Sequence, residues 1–373
     1  MVTEREREIL KWIKDNPMIS QEELAKRAGI ARSSVAVHIS NLMKKGEILG
    51  KGYVIRKTPY VLVVGGSSVD IIGYPDEYLF PGESIPGRVE LSYGGVGRNQ
   101  AHNMRLLDLD VKTITVFGED MYAEKIKQNC QKLGVDISLS LTVPNGITST
   151  YLSIVDSNGE CKFGISDMKI INELTPEFLS SKINVINNAK LCVVETNLCK
   201  ETLEYIAANC QVPLFAEAIS IVKAKKLKGI LDKIHSLRID STDLVSLVDF
   251  NIYSLDDVKK AVNKLIDMGV KRVYVSLTSG GIYCADSSQS FEILPLPSVK
   301  VVNRTGARDS FIGALAWAFI NELDFVKSSL AGLAASMICM ESKNVVNEDL
   351  NEDYMTSIMQ ILEGEKFFKE VVG

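Results

Sequence analysis

The residues best suited by type and spacing to do chemistry lie in 301–313, Val-Val-Asn-Arg-Thr-Gly-Ala-Arg-Asp-Ser-Phe-Ile-Gly. Thr305, Gly306 and Ala307 are small, Asp309 follows them, and Ser310 to Phe319 reads as helix. A small-residue turn that opens a helix leaves backbone N–H groups unpaired at the positive end of the helix dipole. Phosphate oxygens are drawn to that arrangement. A carboxylate at its mouth, Asp309, can take the proton of a hydroxyl that attacks phosphorus. The same residues also suit a plain strand-to-helix turn with Asp309 as a cap, and this stretch alone favours neither. A second stretch, Tyr93-Gly94-Gly95-Val96-Gly97-Arg98-Asn99-Gln100-Ala101, carries glycines that let backbone come close to a ligand.

These stretches need elements to hold them. Val299 to Val302 reads as the end of a strand that delivers the 305–309 turn. Tyr60 to Val64 is an apolar strand running into Gly65-Gly66 and then Asp70. On its own, Asp70 reads as a carboxylate that caps a turn. Further strands are expected at 111–117, 191–195, 212–216, 273–277 and 281–285. Helices are expected at 121–133, 175–188, 200–209, 223–234, 255–268, 309–321 and 326–340. Such alternation argues a mostly parallel sheet with helices on both faces, an α/β sandwich. Ligands in such sheets sit beyond the carboxyl ends of the strands.

Composition narrows the function classes. Seven cysteines are scattered without a Cys-x-x-Cys pair, which argues for free thiols in a reducing compartment and against a zinc site. Three histidines, His38, His102 and His235, stand in separate segments, so a histidine metal centre or a nucleophilic triad is not expected. No apolar run reaches the length of a membrane span, and the charged start is not a signal peptide. The expectation is a cytoplasmic protein with no membrane partner.

Charge divides the chain in two. Residues 1–57 hold 12 Lys and Arg against 7 Asp and Glu, whereas the remainder is acidic. In the basic part, Thr3 to Asp15 has helical spacing, with Ile9, Leu10 and Ile13 on one side. Ser20 with Glu23 reads as a capping box opening a second helix that buries Leu24, Ala25 and Ala28 and ends at Gly29. A third helix from about Ala31 to Lys45 is expected to bury Val35, Ile39, Leu42 and Met43. Glu47 to Ile55 reads as a hairpin. Three short helices and a basic hairpin resemble a winged helix-turn-helix. The resemblance implies that the third helix enters the major groove through Arg32, Ser33, Ser34, Val37, His38 and Asn41, with Lys51 on the wing meeting phosphates. The alternative is a protein-contact surface whose charges only solvate it.

From about residue 60, the paired stretches resemble the two signatures of the PfkB/ribokinase family of small-molecule kinases: a Gly-Gly loop followed by Asn, and Thr-Gly-Ala-Gly-Asp. That family implies a ribokinase-like three-layer α/β/α sandwich at 60–373. It also implies a small β-lid, here about 71–92 and 147–165, which often pairs two subunits, hence a homodimer. The wording nearest to this chain is that of pseudouridine kinases: Gly94-Gly95-Val96-Gly97-Arg98-Asn99, Thr148 to Ser153, Ser166-Asp167-Met168 and Ile234 to Leu237. The resemblance implies that ATP and Mg2+, with room for K+, phosphorylate a primary hydroxyl of a sugar or nucleoside. Asp309 would be the base, and Gly306, Ala307 and Arg308 would form the anion hole. Asp70, Gly94, Gly95, Asn99 and Asp167 would bind substrate. Asp240 and Asp243 stand where the family has an Asn-x-x-Glu pair for nucleotide and magnesium, and Thr278 and Gly280 lie in the loop that follows. No fixed protein cage for a metal is implied.

The departures gather on the nucleotide side. Arg308 replaces the glycine of the second signature. If that position needs positive φ, arginine costs about 1–2 kcal/mol of strain. If an anion-hole donor is lost, the barrier rises by roughly 2.7–4 kcal/mol. Arg308 could reach a phosphate, fill the phosphate site, or pair with Asp309. Two functions follow: an active kinase with a DNA-binding appendage, or a ligand-sensing regulator on a kinase fold whose catalysis is weakened.

Overall fold

The computed structural model describes residues 2–48, 59–364 except 79, 81, 157–160 and 298, and 367–370, the last three as backbone only. The chain divides into two compact units, Met1–Pro59 and Tyr60–Gly373.

The first unit packs helices Glu4–Asp15, Gln21–Ala28 and Arg32–Lys44 around Ile9, Ile13, Leu24, Val35 and Leu42. A reciprocal capping box starts the first helix, with Thr3 Oγ1 accepting from the Glu6 N–H and Glu6 accepting from the Thr3 N–H. Glu6 is buried, and its carboxylate accepts from Lys45 Nζ at 2.6 Å, tying the end of the third helix to the start of the first. That contact holds the Glu6 carboxyl down at about 2. At the second helix only half of the expected capping box forms. Ser20 Oγ accepts from the Glu23 N–H, but the Glu23 carboxylate turns to Arg27. Met43, expected inside, is 45% exposed. Val35, Ile39 and Leu42 already fill the inward stripe, and the next residue falls about 100° round the helix. The hairpin expected at 47–55 falls largely outside the described residues, as does Lys51.

In the second unit a nine-stranded sheet, counted over the described residues, carries the fold. Its strand order is Phe368–Glu370, Ser290–Ile293, Ile282–Asp286, Arg272–Ser276, Ile234–Asp240, Leu214–Glu217, Leu191–Glu195, Tyr60–Val64 and Asp110–Ile114. Arg272–Ser276 through Asp110–Ile114 run parallel, and the other three are antiparallel. Alternation sends Val61 and Val63 into one core cluster and Leu62 and Val64 into another. A strand buried on both faces therefore reads as a continuous apolar run. Helices Val96–Leu106, Ala307–Ile320 and Phe325–Met340 belong to the first cluster, and Lys200–Asn209 and Leu255–Asp267 to the second. A separate four-stranded sheet, Gly87–Gly94, Ser68–Pro75, Thr150–Val155 and Cys161–Asp167, stands where the lid was expected.

Four expected elements of this unit form differently. Residues 111–117 make two strands, Asp110–Ile114 and Val116–Phe117, and residues 175–188 make two five-residue helices, Pro176–Ser180 and Ile183–Asn187. Residues 223–234 do not form one helix. A four-residue helix, Ile221–Ala224, gives way to 3₁₀ turns, and Ile234–Asp240 follows as a parallel strand. The polar His235, Ser236 and Arg238 hide that strand's apolar character. Val299–Val302 is no strand; the chain leaves the sheet at Ile293, and Pro295 and Pro297 carry it away as irregular backbone.

Candidate active site

The 305–309 turn is built as its residue types demand. Gly306 takes φ of +86°, and a Cβ there would collide with the Val345 carbonyl, so only glycine fits. Helix Ala307–Ile320 starts immediately after it. Arg308 is therefore the second residue of a helix with ordinary φ, and it retains its backbone N–H. Both penalties anticipated for arginine at this position vanish. The N–H groups of Arg308 and Asp309 have no hydrogen-bond partner among the described residues, as befits the first turn of a helix.

The two signature stretches meet. Asn99 Nδ2 donates to Asp309 Oδ2 at 3.0 Å across a sequence separation of 210 residues. Asp309 is 6% exposed. Burial, followed by the charges of Glu217 and Glu195, pushes its carboxyl well above the usual range, while the Asn99 hydrogen bond and Arg238 pull the other way.

Sequence spacing did not reveal what surrounds Asp309. Glu195, Glu217 and Asp240 each close one of three adjacent parallel strands; register sets Glu195 beside Glu217, with Arg238 as Glu217's next neighbour and Asp240 two residues beyond it. Glu195 Oε1 accepts from the Gly66 N–H at 2.8 Å, and Glu217 accepts from Gln100 Nε2 at 2.6 Å. Arg238 is buried between carboxylates, with Nη1 3.8 Å from Glu217 and Nη2 2.7 Å from Asp240, and it also donates to Ser276. The available signal was the acidic end of each apolar run. It went unread at 234–240 because no strand was expected there, the helix expected at 223–234 reaching only its first residue.

Arg308 does not pair with Asp309. Its guanidinium donates to the Asp240 carboxylate and, at 2.6 Å, to the Ile219 carbonyl, and it stands 3.8 Å from Asp243. Asp243 Oδ2 is buried without a hydrogen-bond partner, and burial raises its carboxyl. The unpaired Asp243 oxygen near Asp240 is of the hard-oxygen type that magnesium takes, so these two carboxylates could hold such an ion and supply charge neutralisation. No cluster of three metal-binding side chains exists among the described residues. Asp240, Thr278, Gly280, Ala307 and Arg308 all line one cleft of about 520 Å3, to which Leu277, Leu296 and Met337 add apolar surface.

Beside the glycine loop, Asp70 packs against Gly94 so closely that a Cβ on Gly94 would collide with its carboxylate. Ser68 Oγ donates to Asp70 at 3.0 Å, and burial raises the Asp70 carboxyl. Gly95 opens helix Val96–Leu106. Asp167 is exposed at the end of its lid strand, opposite Thr150. In the first unit Arg32, Ser33, Ser34 and Val37 are exposed on the third helix, and His38 and Asn41 are half-buried.

Comparison with known proteins agrees with this geometry. Residues 58–352 match the pfkB family carbohydrate kinase model, and residues 3–48 match a winged helix-turn-helix DNA-binding model. An Escherichia coli K12 protein named "Uncharacterized sugar kinase YeiI" is 34% identical over 359 residues, covering 96% of this chain and 99% of its own. The pseudouridine kinase of the same organism is 30% identical over 308 residues, covering 82% and 98%. The structure of Arabidopsis thaliana ribokinase complexed with ribose and ATP superposes with a TM-score of 0.74 at 22% identity, over 82% of this chain and 99% of its own, a likeness of fold. A helix with a buried aspartate in its first turn, a glycine loop bonded to that aspartate and a family match over most of the length lead to one conclusion: the chain belongs to the pfkB family of carbohydrate kinases, has the ribokinase-like fold, and carries a winged helix-turn-helix at its N-terminus.

Proposed function

We propose that this kinase transfers the γ-phosphoryl group of ATP to a primary hydroxyl of a pseudouridine-like nucleoside, and that its first unit binds DNA. The observation that carries the reading is the Asn99–Asp309 hydrogen bond, which joins the glycine loop to the helix start in one buried site. Asp309 takes the proton of the attacking hydroxyl. The free N–H groups at the start of helix Ala307–Ile320 receive the phosphoryl oxygens. Asp70 holds the sugar diol beside Gly94 and Gly95, with Asn99 next to the base and Asp167 contributing from the end of its lid strand. Asp240 and Asp243 hold Mg2+, which when bound neutralises phosphate charge; Thr278 and Gly280 border the nucleotide. The preference for a pseudouridine-like substrate rests on the motif wording and on the Escherichia coli relative. ADP release in the presence of pseudouridine, guanosine, ribose or no acceptor tests it, and K+ dependence is read in the same assay. Turnover confined to ribose would reject the nucleoside.

DNA contact by Arg32, Ser33, Ser34, Val37, His38, Asn41 and Lys51 is part of the same proposal, as is action in the cytoplasm, where ATP and DNA are both at hand. No helix among the described residues is long and apolar enough to cross a membrane. A homodimer is supported by the lid, whose strands expose Val89, Leu91, Phe163 and Ile165. Occupancy of the nucleoside site then alters DNA affinity through the dimer. Fluorescence-anisotropy titration of DNA with and without pseudouridine checks the coupling, and identical affinities would reject it.

A further inference from the structure

We propose that Arg98 is a positioning residue, whose guanidinium fixes the orientation of the Asn99 amide so that Asn99 offers its NH2 group to Asp309. This rests on the reading of Asp309 as the base. Arg98 is 6% exposed, and three elements converge on it. Its Nη1 donates to Asn99 Oδ1 at 3.0 Å, on the adjacent residue of its own helix. The same nitrogen donates to the Tyr93 carbonyl at 3.3 Å, on the lid strand that enters the glycine loop. Its Nη2 donates to Asn129 Oδ1 at 2.7 Å, on helix Met121–Leu133.

The chemistry leaves one orientation for the amide. A guanidinium carries only donors, so the Asn99 atom that faces it must be the oxygen. The other end is then the NH2 group, and it meets Asp309 Oδ2 at 3.0 Å. Turning the amide over would set two donors face to face on the Arg98 side and two acceptors face to face on the Asp309 side. With Arg98 gone, only Asp309 itself would choose the orientation, and it too can act as a donor when protonated. Asn103 Nδ2 holds the Asn99 carbonyl at 2.8 Å, so the backbone is anchored independently and the side-chain torsion is the freedom that Arg98 removes. Stability alone is a poor reason for this arrangement. The guanidinium is buried, and its Nε has no partner among the described residues. Burying a charge with an unmet donor works against the fold.

The test is a double-mutant cycle on the full chain with Arg98→Met, Asn99→Ala and the pair together, with Arg98→Lys as the conservative variant. Arg98→Met is expected to lower kcat about tenfold to a hundredfold with KM for the nucleoside nearly unchanged, the pattern of an interaction that acts in the transition state. The double variant is expected to fall no further than Asn99→Ala alone, because Arg98 acts through Asn99. Arg98→Lys, which keeps one donor, is expected to recover part of the loss. Additive losses, or a raised KM with unchanged kcat, would overturn the proposal. A second readout needs no turnover: the Asn99 side-chain NH2 signal in a 15N spectrum, identified by its loss in Asn99→Ala. It is expected to be protected from solvent exchange in the parent and to lose protection in Arg98→Met. Equal protection in both would overturn the proposal even if no substrate had been found, whereas protection lost in a chain that phosphorylates nothing would count against the kinase reading alone.

Discussion

Replacing Arg308 by glycine restores the residue that the family signature carries and is expected to reduce activity, not to raise it. In the structure Arg308 joins Asp240 and stands 3.8 Å from Asp243, while leaving Asp309 alone. With Arg238 it faces Asp240, Asp243 and Glu217, and Arg304 lines the same cleft. Removing Arg308 leaves a more negative cleft for a nucleotide that is itself an anion. One charge-assisted hydrogen bond to phosphate contributes about 1.5–3 kcal/mol, so kcat/KM for ATP should fall roughly tenfold to a hundredfold. The fold should tolerate the change. The Arg308 side chain is 36% exposed, so its ion pair contributes at most about 1 kcal/mol to stability. Glycine in a helix adds roughly another 1 kcal/mol of destabilisation, against a typical total of about 5–15 kcal/mol. The assay is ADP release with pseudouridine at varied ATP and fixed Mg2+, then at varied Mg2+. Asp240 and Asp243, freed of one guanidinium, should bind Mg2+ at lower concentration. Turnover by Arg308→Gly equal to or above that of the parent would refute the argument and identify arginine as a plug.

Other expectations can be checked in the same way. Asp309→Asn should remove roughly 10²–10⁴ of the turnover without shifting the melting curve, since general-base catalysis is worth that much. Because burial raises the Asp309 carboxyl, parent activity should climb with pH along a limb above the ordinary carboxylate range, and a limb near pH 4 would contradict that placement. Glu6→Gln should weaken the first unit by about 1–3 kcal/mol through the loss of a buried charged hydrogen bond, read from Trp12 fluorescence in a Trp317→Phe background. The Glu6 carboxyl is depressed from 4.5 to about 2, so its contribution is complete above pH 4.5 and disappears as pH falls through about 2; Glu6→Gln should flatten that acid limb. DNA affinity should drop steeply with salt through Arg32 and Lys44, and a salt-independent affinity would count against the winged-helix reading. Lys45 is held by Glu6, so Lys45→Ala should act mainly through stability.

Much of this molecule is written locally. Ile9, Ile13, Val35, Ile39 and Leu42 betray their helices by period, and Tyr60–Val64 and Leu191–Glu195 betray buried strands as unbroken apolar runs. Glycine before Asp309 and the glycines before Asn99 announce turns that only a residue without Cβ can make. Each is a matter of neighbours in sequence, where sterics and periodicity act over a few residues. Tertiary structure decided the rest. The partner of Asn99 lies 210 residues away, and the direction taken by Arg308 depended on where strand Ile234–Asp240 would place Asp240. Parallel register set Glu195 beside Glu217, and the packing of helix Ala307–Ile320 on the sheet brought Asp309 within reach of both charges. Charge networks and side-chain directions are long-range properties, because an electric field and a packed interface are made by residues whose proximity exists only once the sheet has closed.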